Sequence, residues 1–531
     1  MRLGRASLVV VMLIGSLVSV GGPVQKVEEA KAQTTSMPNI VVIVTDDQRK
    51  PDTANMEQLE NAFKTNGTTY SNAFVTTSLC CPSRASIFSG QYVHNHGVTQ
   101  LTNPAELDQR HTLQYQLQKR GYNTGIVGKY LNGWNYCNGE GDTDGREFHA
   151  NGSDPPYFDR YAVYSGGYDN IELREWWTKN EPGGRCKPYD YSTTAIRDKA
   201  LNYIDEFASE SKPFFLYVAP FAPHGPASPA PAYRNGSKTC PTPTWNKNDA
   251  IGEADLGDKP PHVRLRGTDV YPRPAFVTST QIDSDLKKDR LDRICSLEPV
   301  DDMVGDIMGK LSDRGIRNNT LAIFTTDNGF LLGEHKLKGK REPYHYSSNV
   351  PFFVKWPAMP ALVPPNTTDT RIVANIDIAP TIYDLTGGPP VDNPTTLENE
   401  GYVPDGRSIF TSNRQEILLE HFVSSAGELS DCLPTWAALR SKTYLYRKNF
   451  YGESREWDAM RDADKRSCTL STWDKYIAAA WHHEYYDVQS DPWNLRNLMN
   501  DGDPNTAPST TTNTLSTRLE QARTCSGATC P

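Results

Sequence analysis

The stretch Asn39-Ile40-Val41-Val42-Ile43-Val44-Thr45-Asp46-Asp47-Gln48 decides how this chain is built. From Ile40 to Val44 it is continuously apolar and β-branched, the pattern of a strand buried on both faces. It stops abruptly at two carboxylates. Adjacent negative charges at the C-terminal end of a buried strand lie where α/β sheets place ligands. They repel each other unless a cation neutralises them. A solvated turn is the plainer alternative.

Working outward, the same pattern recurs. Thr124 to Val127 reads as a strand ending in Gly128-Lys129-Tyr130. Pro213 to Val218 leads into Ala222-Pro223-His224, and Leu321 to Phe324 into Thr325-Thr326-Asp327-Asn328. Val350 to Val354 is a further strand. Helical patterns fall between them: Ala54 to Phe63, Thr112 to Arg120, and a helix capped by Ser192 with Ile196, Ala200, Ile204 and Phe207 on one face. Leu291 to Leu311 is also helical in pattern, with Pro299 as a candidate kink, and Asn375 to Thr381 opens another helix. This alternation up to about Leu385 predicts a mostly parallel α/β sheet. Trp134 to Tyr191 and Ala227 to Pro274 read as polar insertions. From about Ser408, short strands such as 416–420 and 442–446 indicate a smaller, partly antiparallel C-terminal subdomain. The Thr/Ser/Pro run 506–514 reads as a mobile tail.

A second stretch carries the chemistry. In Ser78-Leu79-Cys80-Cys81-Pro82-Ser83-Arg84-Ala85-Ser86-Ile87-Phe88-Ser89-Gly90, Pro82 suits a helix start and Gly90 a helix stop. Cys80 then precedes a helix N-terminus, where free N–H groups favour an anion, and Arg84 one turn later adds a fixed positive charge. That makes Cys80 a candidate nucleophile; a buried cysteine in a capped helix fits the same local pattern. In the loop that follows, His94 and His96 read either as pocket-lining groups or as loop hydrogen-bonders.

The totals bound the class. The chain has 531 residues, 37% hydrophobic and 22% charged, as in ordinary globular proteins, and the length suits two domains. The net charge of -9 gives no basic surface for nucleic acid. Arg2 and Arg5 precede an apolar run from Ala6 to Val20 that is short for a membrane span, so 1–32 reads as an export signal with Ala30-Lys31-Ala32 as one cleavage site. No later stretch is apolar enough to span a bilayer. Ten cysteines in an exported chain suggest disulfides; Cys525 with Cys530, Cys137 with Cys186, and Cys432 with Cys468 are the expected pairs. Asn66, Asn151, Asn235, Asn318 and Asn366 sit in sequons that permit glycosylation.

Asp46, Asp47, Lys129, His224, Asp327 and Asn328 all follow strand ends, so an α/β sheet would bring them to one crevice. Three carboxylates and an amide suit a hard cation, Ca²⁺ or Mg²⁺, and Arg84, Lys129 and Lys340 would hold a tetrahedral oxyanion ester. Sulfate and phosphate are not separated by these residues. Here Cys80-Cys81-Pro82-Ser83-Arg84 with Gly90 resembles the type I sulfatase signature, and Cys80 matches the cysteine that a formylglycine-generating enzyme oxidises. By the same resemblance Asp46, Asp47, Asp327 and Asn328 match metal ligands with residue 80, and Lys129, His224 and Lys340 match catalytic groups. The motifs around Cys80, His94-Asn95-His96, Gly128-Lys129-Tyr130-Leu131-Asn132 and Ala222-Pro223-His224 resemble those of N-acetylglucosamine-6-sulfatases and related arylsulfatases.

The resemblance implies an alkaline-phosphatase-like α/β fold: a large, mixed, mostly parallel sheet sandwiched by helices, with a smaller C-terminal α+β subdomain. The catalytic domain is expected over 36–410, and 411–531 as a subdomain with a small antiparallel sheet and a flexible tail. The implied reaction is hydrolysis of sulfate monoesters through a formylglycine hydrate, on a sulfated small molecule or glycan, in an exported protein (extracellular, periplasmic or lysosomal) with no membrane partner. His94, His96 and His335 are expected near the substrate. A phosphonate monoester or phosphodiester hydrolase is the alternative. Two positions depart from the family pattern: Leu131 stands where many sulfatases carry histidine, and His345 where many carry glutamate.

Overall fold

The computed structural model describes residues 37–132, 137, 154–178, 181–241, 279–332, 334, 338–386, 402–422, 435–450, 483–494, 497–499 and 510–531. At its centre, β1 (Asn39–Thr45) has Ile40 to Val44 fully buried, as the unbroken apolar run predicts. The other strands of the main sheet are β2 (Thr68–Phe74), β3 (Asn123–Lys129), β4 (Arg160–Tyr164), β5 (Asp169–Thr178), β6 (Glu181–Tyr191), β7 (Phe214–Ala219) and β8 (Thr320–Thr326). A two-stranded ribbon, β9 (Leu331–Leu332) with β10 (Lys338–Gly339), lies between β8 and the last two, β11 (Phe352–Lys355) and β12 (Thr367–Ala374). The ten-stranded order is β12-β2-β11-β8-β1-β7-β3-β4-β5-β6. The block β8-β1-β7-β3-β4 is parallel throughout, while β11 and the β5-β6 hairpin run antiparallel to their neighbours. The sheet is therefore mixed and mostly parallel.

Alternate residues of β1 face two different helix layers, the arrangement a parallel sheet requires. Ile40, Val42 and Val44 pack with Ala85 and Phe88 of α1 (Cys80–Ser89), Leu113 and Leu117 of α2 (Leu113–Lys119), and Ile378 and Ile382 further along. Val41 and Ile43 pack with Ile196 and Ile204 of α3 (Ser192–Ala208) and with Val300, Val304 and Ile307 of α4 (Ser279–Asp313). Ile378 and Ile382 belong to α5 (Ile378–Leu385).

The second sheet is wholly antiparallel: β13 (Glu416–His421), β14 (Thr435–Ser441), β15 (Tyr444–Phe450) and β16 (His483–Asp487). Leu515 and Leu519 of α6 (Thr510–Ala522) share its core.

Several expectations change. The tail 506–514 does not read as mobile from Thr510 onward: α6 starts there, because Leu515, Leu519 and Ala522 form an apolar stripe with a sheet to cover. The insertion 134–191 supplies three strands that widen the main sheet. The stretch Ala54–Phe63 splits into a 3-10 turn, one α turn and a π turn. Ser192 is the first residue of α3 and Tyr191 its N-cap. Pro299 lies inside α4, which continues past it. Disulfides join Cys137 to Cys186 and Cys525 to Cys530, and also Cys240 to Cys295, a pair that sequence did not suggest. Cys80 and Cys81 are free and buried. The Cys432–Cys468 expectation and the export signal 1–32 lie outside the described residues.

Candidate active site

Four neighbouring parallel strands, β8, β1, β7 and β3, end on the same side, and their trailing residues meet there. β2 runs the same way, and the chain leaving it reaches α1 on that side. Cys80 is the first helical residue of α1, with Leu79 as N-cap, so the helix starts two positions before Pro82, the start that the local pattern suggested. Gly90 closes the helix in the left-handed conformation, φ 68°. Every residue of α1 is buried.

Lys129 Nζ donates to Asp46 Oδ2 at 2.6 Å. Arg84 donates from Nε to Asp327 Oδ2 at 2.8 Å and from Nη1 to the Lys129 carbonyl at 2.7 Å. The Asp47 amide donates to Asp327 Oδ1 at 3.1 Å. One helix residue thus ties the ends of β3 and β8 together. Gly128 lets β3 close against β7 at this end: at φ 102°, a Cβ there would lie 2.1 Å from the Ala219 carbonyl oxygen.

Cys80 Sγ lies 3.4 Å from Asp46 Oδ1 and accepts from Lys340 Nζ at 2.7 Å. Burial, joined by the Asp46 charge, pushes its thiol well above the ordinary range, against the pull of Lys129 and Lys340. A protonated, buried thiol is a poor nucleophile. Asp46 and Asp47 are also fully buried, which by itself would raise them. Lys129 and His224 beside Asp46, and Lys340 and His224 beside Asp47, more than offset this and hold both carboxyls low. Asp327 moves the other way: burial and the Asp46 charge raise it despite Arg84.

Crowded carboxylates of this kind accommodate a cation. Asp46, Asp47, Cys80 and His224 each offer a ligand atom within 4.8 Å of the others. Asn328 donates from Nδ2 to Asp47 Oδ1 at 2.6 Å, while its Oδ1 is buried with no hydrogen-bond partner. An orphaned amide oxygen beside three carboxylates fits a hard divalent ion.

His224 sits in a loop between two cis peptide bonds, Ala222-Pro223 and Gly225-Pro226. Its Nδ1 pairs with the Gly225 carbonyl at 2.7 Å, so Nε2 faces Asp47 Oδ2 at 3.6 Å. Lys340 Nζ takes the other oxygen, Asp47 Oδ1. Asp47, His224 and Lys340 form the foot of a cleft of about 660 Å³, walled by Lys288, Asp289, Asp292 and Arg293 of α4 and by Phe330, Lys338 and Arg341. Volumes of this size hold small-molecule and sugar ligands.

Two of the histidines expected at the substrate serve elsewhere. His94 pairs with Glu420 of β13 at 2.9 Å and donates to the Cys525 carbonyl at 3.0 Å, which ties its turn to the second sheet and to the C-terminal loop. His96 is buried, accepts from the Val98 amide at Nδ1, and therefore donates from Nε2 to Ser86 Oγ at 3.0 Å. Neither ring lines the cleft; both are consumed by internal bonds. His335 lies outside the described residues. Leu131 is buried in the apolar core with Phe88 and Phe158, so no ring replaces the expected histidine at that position. His345 packs edge-on against Trp493 at 5.1 Å. Asp289 and Arg293 were not singled out from sequence, because charges inside a long helix carry no local signal of what they face.

The sulfatase family model matches residues 38–388, and the model "N-sulphoglucosamine sulphohydrolase, C-terminal" matches 333–458. The N-acetylglucosamine-6-sulfatase of Capra hircus is 26% identical, over 94% of this chain and 86% of its own length. An arylsulfatase of Volvox carteri is 26% identical, over 87% of this chain and 72% of its own. Among solved structures, a protein in complex with its substrate D-glucosamine-2-N,6-O-disulfate superposes with a TM-score of 0.63 at 20% identity, covering 91% of this chain and 97% of the other.

Proposed function

Because this chain belongs to the sulfatase family and is a sulfuric ester hydrolase, we propose that its substrate is a sugar sulfate, with a glucosamine 6-sulfate unit of a glycan as the leading class. The similarity to N-acetylglucosamine-6-sulfatase over nearly the whole chain supports this reading. The observation that carries the mechanism is the convergence of Asp47, His224 and Lys340 at the foot of one cleft, with Cys80 buried directly behind Lys340.

Cys80 is the residue to be converted to formylglycine by a generating enzyme, which supplies the attacking oxygen that a buried, protonated thiol lacks. Asp46, Asp47, Asp327 and Asn328 hold a cation, read as Ca²⁺, which supplies charge stabilisation to the sulfuryl oxygens when bound. Arg84 keeps residue 80 at the head of α1 by binding Asp327 and the Lys129 carbonyl. Lys129 and Lys340 bring two ammonium groups to the same pocket, where low dielectric strengthens their pull on developing negative charge. His224 or Lys340 gives its proton to the bridging oxygen as the sulfur–oxygen bond breaks. Residues 1–32 direct the chain to export.

The test is turnover of p-nitrophenyl sulfate and glucosamine 6-sulfate, read as released inorganic sulfate, beside p-nitrophenyl phosphonate monoesters. Sulfate release with Cys80→Ala inactive is the expected result. Faster turnover of the phosphonate esters than of any sulfate ester would overturn the assignment.

A further inference from the structure

His224 and Lys340 stand on the two oxygens of Asp47, but they come from separate loops. What fixes their spacing from the outside is one turn of α4. Asp289 Oδ1 accepts from Arg293 Nε at 2.9 Å, and Asp289 Oδ2 pairs with Lys338 Nζ at 2.8 Å. Lys338 belongs to β10, two residues before Lys340, and its strand pairs Lys338 with Leu332 and Gly339 with Leu331. On the other side, Arg293 Nη1 donates to the Pro223 carbonyl at 3.1 Å, the residue before His224. Its Nη2 lies so near Gly225 that a Cβ there would be 3.0 Å away. Its guanidinium covers the Phe330 ring at 3.9 Å, and the residue is only 2% exposed. A single carboxylate therefore links the His224 loop to the Lys340 ribbon through two cations, on the wall of the same cleft.

We propose that Asp289 and Arg293 are positioning residues that hold His224 and Lys340 at the spacing needed to protonate the leaving-group oxygen. This rests on the sulfatase reading above. An i,i+4 pair on a long helix is rigid, and proton transfer depends steeply on donor distance. The Tyr168 hydroxyl also holds this loop, donating to the His224 carbonyl at 2.9 Å.

Leaving-group dependence distinguishes positioning from general structural support. Asp289→Asn and Arg293→Lys are assayed with aryl sulfates ranging from acidic nitrophenols to unsubstituted phenol. Nitrophenolates leave without a proton; phenolate needs one. The brace predicts losses of at least about tenfold more in kcat/KM for phenyl sulfate than for the nitrophenyl esters. In a His224→Gln background, Arg293→Lys adds little further leaving-group dependence. Melting temperature and circular dichroism confirm folding; if Arg293→Lys fails to fold, Asp289→Asn alone carries the comparison. An equal loss across the series, or none, overturns the brace. A wild-type protein that releases sulfate from none of these esters and none from glucosamine 6-sulfate overturns the sulfatase reading instead.

Discussion

At the residue scale, Cys80 is the position on which both sequence and structure turn. Its environment argues against a thiolate: it is buried at the head of α1 against Asp46, and burial with that charge outweighs the pull of Lys129 and Lys340. Cys80→Ala is expected to abolish sulfate release while changing stability by less than about 1 kcal/mol, since alanine suits a helix and the site is small; kinetics and denaturant melts check both halves. Mass spectrometry of the peptide containing residue 80 from active protein should find it about 18 Da lighter than cysteine. Arg84 is a different case. Its guanidinium is wholly buried between Asp327, Asp46 and the Lys129 carbonyl. Arg84→Met strands those carboxylates, so about 3–5 kcal/mol of stability is expected to go with the activity. Both positions were legible in sequence because their motif is contiguous. His94 and His96 mark the limit of this: sequence left pocket lining and loop hydrogen bonding both open, because a short histidine motif says that rings are present, and only the fold says what they touch.

At the element scale, the short helical turn Val93–His96 carries two histidines with opposite titration behaviour. Burial would lower His94, but Glu420 and the Cys525 carbonyl raise it to about 8. Its contribution to stability is complete below the unfolded value near 6.5 and is lost as pH rises through about 8. Burial, with His94 nearby, lowers His96 to about 3. Its neutral form is favoured by folding, so stability falls as pH drops below about 6.5, by roughly 2 kcal/mol at pH 5. Urea denaturation across pH should therefore show a maximum at about pH 6.5, with stability falling on both sides. His94→Gln is expected to flatten the alkaline limb and leave the acid limb in place. The same turn is joined to the C-terminal loop closed by Cys525 and Cys530, whose carbonyls accept from His94, Asn95 and Arg407.

At the scale of the whole molecule, a cation held by Asp46 and Asp47 after β1 and by Asp327 and Asn328 after β8 would join two parallel strand ends, so its removal would be felt beyond the site. Dialysis against a chelator is expected to lower both melting temperature and activity, and Ca²⁺ at about a hundredfold over its Kd should restore about 2.7 kcal/mol; equal recovery with Mg²⁺ would remove the preference for Ca²⁺. The fold class was legible because β1, β3, β7 and β8 are continuous apolar runs, and such runs have few other ways to hide both faces. Their polar endings, Asp46, Asp47, Lys129, Asp327 and Asn328, follow from chain order alone once the strands are parallel, since parallel neighbours end on one side. By itself, then, the sequence determined the sheet, the family signature and the charged residues delivered to one edge, all of them properties of local pattern. Only the tertiary structure decided what lies between elements distant in sequence. It placed Asp289 and Arg293 on the cleft wall, turned His94 toward Glu420, buried Leu131 where a ring was expected and joined Cys240 to Cys295. These pairings depend on how helices and loops pack across the sheet, and packing of that kind leaves no periodicity to read.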